Sequence, residues 1–405
     1  MHIPFRSAIL EKPARRDLLR GIAAGGGLVI AWRLAPPAAA QTAEKKFGAD
    51  GMPNGTRNDP RIFVAIAPDG IVTITCHRSE MGQGVRTGSP MILAEELEAD
   101  WAQVRIAQAP GDEPRFGNQD TDGSRSTRHF LQPMRECGAA ARMMLEAAAA
   151  ARWGVPVADV AAREHRVAHT ASGRSLGYGE LAAEAMRLPV PGREALRLKP
   201  AAEFRFLGKG APRMVDGPAI ITGRATYAQD VVLPGLRFAV IERPPVWGGK
   251  VATLDDAAAR AVPGVERVVR LDGTPQPAKF APLGGVAVIA TSTWAAMRGR
   301  EALKLTWEDG RHGGYDSTAY AEALREAVRK PAKVVRNEGD AMAALAAPGA
   351  RRIEAEYYTP HLAHATMEPP AATARVADGK CEVWACVQSP YGTRGDVAKA
   401  LGLPE

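Results

Sequence analysis

The chain has 405 residues, 46% of them hydrophobic and 24% charged, which excludes a disordered or fibrous polymer and leaves room for two or three domains. Its formal charge of +7 is concentrated at one end. Six basic residues (Arg6, Lys12, Arg15, Arg16, Arg20, Arg33) against two acids (Glu11, Asp17) in the first forty take four charges from the total, leaving +3. No Lys/Arg stripe interleaved with aromatics appears, so a nucleic-acid partner is not expected.

Residues 1–40 read as an export signal rather than as a basic arm on a cytosolic protein. A positive stretch precedes apolar Gly21–Trp32, and Ala38-Ala39-Ala40 offers a small-residue cleavage site. Twelve residues are too few to cross ~30 Å of hydrocarbon. The adjacent Arg15-Arg16 resembles a twin-arginine signal, so the expected location is the periplasm. That route carries folded proteins and suits a chain that takes up a cofactor before export.

A polar stretch, 41–57, is expected to be a loose linker. Next, "RIFVAIAPDGIVTITCH" predicts a hairpin about Pro68-Asp69-Gly70. "TGSPMILAEELEADW" has the helical period, "AQVRIAQAP" reads as a strand, and alanine-rich Gln132–Trp153 predicts a long helix ended by Gly154. A connector with a small helix at Gly179–Met186 leads to a unit of alternating strands and helices. Its expected strands are "ITGRATYAQD", "GLRFAVIERP", "VERVVRL", "GGVAVIATS" and "ALKLTWED"; its expected helices are Asp255–Ala261 and Trp294–Arg300. A helix over Ala319–Val334, strands "RRIEAEYYTP" and "CEVWACVQSP", and a closing helix "TRGDVAKALGLP" complete the chain.

Cys76, Cys137, Cys381 and Cys386 are too scattered for a disulfide framework, and the Cys381/Cys386 gap has no third metal ligand nearby, so all four are expected to be structural thiols. His361 and His364 are three apart with Glu368 close by. Pro369-Pro370 forbids a helix there, so a packed loop feeding a strand is expected rather than a metal site. No nucleophile–base pair or spaced carboxylate pair is evident.

Three stretches could carry chemistry. In Glu80-Met81-Gly82-Gln83-Gly84, two glycines permit close backbone approach and Gln83 offers a donor and an acceptor. The stretch stands before a helix, where free N–H groups suit a phosphate or heterocycle, although on local grounds alone a plain strand–helix turn is the favoured reading. "TDGSRSTRH" packs four hydroxyls, a glycine and two arginines before the long helix; they could cap it or cradle an anion, and capping needs only one. "VQSPYGTRGD" places Gln388, Ser389 and Gly392 between a strand and a helix start, as in the first stretch.

Together "IVTITCHRSEMGQGVRTG", "TDGSRSTRHFLQPMRECGAAAR", "HATMEP" and "WACVQSPYGTRGDVAKALGLPE" resemble the molybdenum-binding subunit of the xanthine dehydrogenase/aldehyde oxidase family, in particular its exported isoquinoline 1-oxidoreductase β-subunit type. The resemblance covers Arg57 to Glu405. The fold it implies is α+β, with molybdopterin-binding domain segments at 58–155 and 311–405 flanking a connector (156–212) and an a/b hammerhead domain (213–310). The implied cofactor is molybdenum-molybdopterin in its cytosine dinucleotide form. Gln83 and Gly84 then inherit a cofactor contact, as do Gly123, Ser124, Arg125, Ser126 and Thr127; Gln388 and Ser389 border the same group. A glutamine that stands near the metal in xanthine dehydrogenase is replaced here by Leu362.

The reaction the family implies is water-derived hydroxylation of a small-molecule substrate, an aldehyde or N-heteroaromatic, with electrons leaving through a small 2Fe–2S subunit to cytochrome c. The family's GGGFGR-like loop and catalytic glutamate have no match in this sequence. Glu80, Glu95 and Glu368 do not occupy the glutamate's position, so no catalytic residue is expected here. The chain is expected to be inactive alone, as a truncated gene model, a gene fragment, or one half of a split subunit completed by a second chain supplying the C-terminal half. A non-catalytic docking or structural partner that retains the fold is the alternative.

Overall fold

The structure is a computed structural model describing residues 51–210, 212–279 and 281–405; the expected export signal lies outside them. The described residues fall into two units, 51–231 with 368–405, and 232–367.

The first unit opens on the expected hairpin, β1 (Val64–Ile66) paired antiparallel with β2 (Val72–Cys76). Asp69 caps its turn by accepting from the Ile71 amide at 3.0 Å. Val72, Ile74 and Cys76 alternate inward. After a loop the chain forms α1 (Val85–Leu97) and returns as β3 (Val104–Gln108), parallel to β2. A loop at 77–84 therefore leaves the carboxyl end of a β–α–β unit, where such folds place ligands.

The alanine-rich α2 (Leu131–Trp153) packs against α1. At Gly138 the two helices come close enough that a Cβ would overlap the Leu93 carbonyl oxygen. A small meander, β4 (Val160–Arg163), β5 (Arg166–His169) and β6 (Ser175–Gly177), leads to α3 (Tyr178–Arg187). Buried Tyr178 donates to the Leu97 carbonyl at 2.5 Å. The chain then runs back over α1, where the buried Glu95 carboxylate accepts from Lys199 Nζ at 2.6 Å and from the Arg205 and Phe206 amides.

The described part of the expected linker is not loose. Met52 is buried, the Gly55 carbonyl accepts from the Asn118 amide at 2.8 Å, and Asn54 binds Glu113 at 2.5 Å.

In the second unit, β7 (Phe238–Glu242), β8 (Lys250–Asp255) and β9 (Val265–Leu271) precede β10 (Gly285–Ala290). Strand β10 sits between β7 and β9, antiparallel to both. Helix α4 (Thr293–Glu301), capped by the Ser292 hydroxyl, sets Ala295 and Ala296 against Val240 and Val265. Strand β11 (Lys304–Glu308) pairs with β8, a strand not expected from the sequence. Helix α5 (Ser317–Ala327) is shorter than expected.

Two expected strands are absent. At 221–230 the backbone turns instead: Thr222 donates to the Pro218 carbonyl at 2.6 Å and Asp230 accepts from the Tyr227 amide at 2.8 Å. Such local side-chain bonds compete with a sheet ladder. At 351–360 no described strand offers a ladder, and Ile353 and Tyr357 stand exposed. Nor is the His361–Met367 stretch packed: it is exposed, with His361 stacked beside Tyr315.

The first unit closes with the antiparallel pair β12 (Ala372–Ala377) and β13 (Lys380–Ala385), then α6 (Pro390–Leu401). The observed fold is thus mixed α/β with small sheets. The four cysteines are all unpaired; Cys76 and Cys137 are buried, Cys381 is half-buried and Cys386 exposed. Among the described residues no helix is long and apolar enough to cross a membrane, and no group of His, Cys, Asp or Glu is set to hold a metal.

Candidate functional site

The three stretches singled out in the sequence meet within the first unit. The Ser79 amide donates to Thr121 Oγ1 at 2.9 Å, tying the first loop to the second. The Thr121 amide donates to the Gln388 carbonyl at 2.9 Å, and Gln388 Nε2 donates back to the Thr121 carbonyl at 2.6 Å, tying the second to the third. Ser389 Oγ donates to Asp120 Oδ1 at 2.5 Å. Residues from the end of β2, the approach to α2 and the start of α6 thus share one face.

The first loop differs from the expectation in one respect. Its N–H groups at the start of α1 are not open: the Glu80 carboxylate accepts from the amides of Gly82 (2.8 Å), Gly84 (2.9 Å) and Arg86 (3.0 Å). Gly82 and Gly84 have φ of +93° and +85°, a conformation that favours glycine and lets the chain fold round this carboxylate. An internal anion already satisfies the helix start. Gln83 is exposed and folded on its own loop, accepting from the Met81 amide at 2.6 Å and donating to the Ser79 carbonyl at 3.0 Å; its second amide hydrogen remains for a ligand.

In the second loop the hydroxyls do not cap α2, whose first turn begins after Phe130 with no side-chain cap. Ser124 is left-handed (φ +57°), a conformation rare outside glycine and common where a loop is shaped for binding. Its hydroxyl and that of Thr127 have no hydrogen-bond partner among the described residues, and both residues are exposed. Arg125 pairs with Asp122.

Sequence reasoning missed Arg78, the residue just before the first loop. It is fully buried, with its guanidinium 4.8 Å over the Phe130 ring. Nη1 donates to the Asn118 carbonyl at 2.8 Å and to Asn118 Oδ1 at 3.1 Å, Nη2 to the Asp120 carbonyl, and Nε to Ser126 Oγ at 2.9 Å. Burial lowers its pKa to about 10, which leaves it charged at neutral pH. Beside it His77 packs between Phe63 and Phe130, and neither ring nitrogen has a hydrogen-bond partner among the described residues. Burial pushes that imidazole down to about 3. The only sequence signal for either was position, a basic pair leading into a glycine loop.

The three glutamates considered as substitutes for a base have other tasks. Glu80 closes its loop, Glu95 is bound by Lys199, and Glu368 accepts from the Ala228 amide at 3.0 Å.

A model described as a molybdopterin cofactor-binding domain matches residues 24–217, and a second of the same description matches 326–405. The chain is 31% identical over 421 residues to the beta subunit of isoquinoline 1-oxidoreductase from Brevundimonas diminuta, covering 92% of this chain and 52% of that one. It is 31% identical over 359 residues to the membrane-bound aldehyde dehydrogenase [pyrroloquinoline-quinone] of Gluconacetobacter polyoxogenes (87% and 46%). With a nicotinate dehydrogenase subunit of Pseudomonas putida the identity is 28% over 405 residues (98% and 32%). The chain belongs to the molybdopterin cofactor-binding family and is homologous to molybdenum-binding subunits of the xanthine dehydrogenase type. It spans about half the length, or less, of these curated relatives.

The residues present fit such a group. A molybdopterin nucleotide is polar and anionic, and the face offers unpartnered hydroxyls on Ser124 and Thr127, two exposed amides (Gln83, Gln388), and a left-handed serine on an open loop. Glu80 does not oppose this, because its charge is spent on three backbone N–H groups.

Proposed function

We propose that the chain is the N-terminal portion of the molybdenum-cofactor-binding subunit of an exported molybdenum hydroxylase acting on aldehydes or N-heteroaromatics. The observation that carries this reading is the joining of loops 79–84, 121–127 and 388–389 by the Ser79–Thr121–Gln388 hydrogen bonds. Gln83, Gly84, Gly123, Ser124, Arg125, Ser126, Thr127, Gln388 and Ser389 would hold the cofactor, taken to be the cytosine dinucleotide form. When bound, that group supplies the oxidation, with water as the source of oxygen. The chain's own residues bind and orient: Gln83 and Gln388 present amide donors, and the 124–127 hydroxyls meet anionic oxygens.

We further assign residues 213–310 to an a/b hammerhead domain, the mature protein to the periplasm, and the electron path to a small 2Fe–2S subunit and cytochrome c. The catalytic base is placed in a polypeptide that completes the subunit.

The test is co-production of the chain with that completing polypeptide and the 2Fe–2S subunit, followed by metal and pterin analysis and a dye-linked assay against aldehydes and N-heterocycles. Molybdenum near one per chain with turnover of either class is the expected result. A complex that holds a quinone and no molybdenum overturns the reading, and one that holds neither overturns it and leaves the docking role.

A further inference from the structure

Ser126 is one of the proposed cofactor contacts, and the residue behind it, Arg78, is not. Ser126 Oγ accepts a hydrogen bond from the buried Arg78 Nε at 2.9 Å. A hydroxyl that accepts at its oxygen retains one proton to donate, and among the described residues no acceptor takes it. The Arg78 side chain cannot swing to reverse this polarity: its other nitrogens are bound to Asn118 and Asp120, and its plane lies over Phe130. Asp120 in turn accepts from Ser389, so the same guanidinium also braces the third loop.

We infer that Arg78 is a positioning residue that fixes Ser126 as an outward hydrogen-bond donor, and that the group Ser126 meets is an anionic oxygen of the cofactor. This rests on the function proposed above. Arg78 touches no ligand itself; it acts through Ser126 and through the 118–120 backbone. A guanidinium suits the task because its planar fork serves Ser126, Asn118 and Asp120 at once and never gives up its charge. A lysine would keep the charge and lose the fork.

The discriminating variant is Ser126→Asp. A carboxylate there would bind Arg78 more strongly than the hydroxyl does, but it has no proton to donate and repels an anionic oxygen. The full chain, co-produced with its completing polypeptides, is measured for molybdenum per chain, for pterin fluorescence after oxidation, and for melting temperature. Ser126→Asp is expected to melt at or above the parent temperature and yet to lose molybdenum and pterin at least tenfold, as expected for replacing one charge-assisted hydrogen bond by repulsion. Ser126→Ala and Arg78→Lys should each lose roughly tenfold, and the double variant no more than the worse single, because both remove one contact. Parent-level loading in Ser126→Asp, or losses that multiply in the double variant, overturns the inference while the functional reading stands. If Arg78→Lys does not fold, Ser126→Asp against Ser126→Ala still decides. An unmodified complex without molybdenum or pterin overturns both.

Discussion

Thr121 and Gln388, 267 residues apart in sequence, exchange two hydrogen bonds: amide to carbonyl at 2.9 Å in one direction, and side-chain amide to carbonyl at 2.6 Å in the other. This exchange seats the 368–405 segment on the first unit. Gln388→Leu removes the side-chain half of it. Because Gln388 is exposed, the expected loss is modest, roughly 0.5–1 kcal/mol. Hydrogen exchange followed by mass spectrometry should show faster exchange over 387–401 and none over 85–97. Unchanged exchange at 387–401 would show that the Gln388 side chain does not hold the segment.

Gln83 lies on the surface and bonds only within its own loop, so Gln83→Ala should leave global stability within about 0.5 kcal/mol. Molybdenum in the completed complex should nevertheless fall several-fold. Full metal content in this variant removes Gln83 from the site.

His77 makes the stability of the first unit sensitive to acid. Burial holds its folded-state pKa at about 3, below the ordinary value of about 6.5, so the unfolded chain binds a proton that the folded chain refuses. The stabilising difference is complete above about pH 6.5 and is lost as pH falls towards 3, at up to ~1.4 kcal/mol per pH unit. His77→Phe, which suits a site between Phe63 and Phe130, should flatten the pH dependence of denaturant midpoints between pH 6.5 and 5. Glu95 contributes in the same direction, but at lower pH. Burial alone would raise its carboxyl; Lys199 and the Phe206, Arg205 and Leu207 amides outweigh that and hold it below the carboxylate range. Equal slopes above pH 5 in the parent and His77→Phe would contradict the assignment.

Gly138 sets the approach of α2 to α1. A methyl there, driven into the Leu93 carbonyl oxygen, forces two packed helices apart. Gly138→Ala should destabilise by about 1–3 kcal/mol despite alanine's better helix propensity. An unchanged or raised midpoint in chemical denaturation would mean that the helices slide at little cost.

Much of the first unit is legible in the sequence because its signals are local. Val72, Ile74 and Cys76 alternate within five residues, Pro68-Asp69-Gly70 turns the hairpin by itself, and the alanine run of α2 ends at Gly154. The second unit is less so. Nothing in the sequence marks β8, and 351–360 has the composition of a strand although nothing described pairs with it. Residue type predicts extended backbone there, but a strand exists only with a partner.

The site divides along the same line. Composition and motif order single out the loops proposed to bind, since glycines, hydroxyls and amides in "EMGQG", "GSRST" and "QS" are properties of the residues themselves. Only the tertiary structure decided how they are used. Glu80 is a spare acid in the sequence and, once folded, the anion that fills the start of α1; Arg78 is an unremarkable cation that becomes the buried fork joining Ser126, Asn118 and Asp120. Both outcomes depend on hydrogen bonds whose direction and strength are set by burial and by neighbours brought together only when β2, α2 and α6 pack. A linear pattern shows which donors and acceptors a chain carries, and folding determines which of them are already spent.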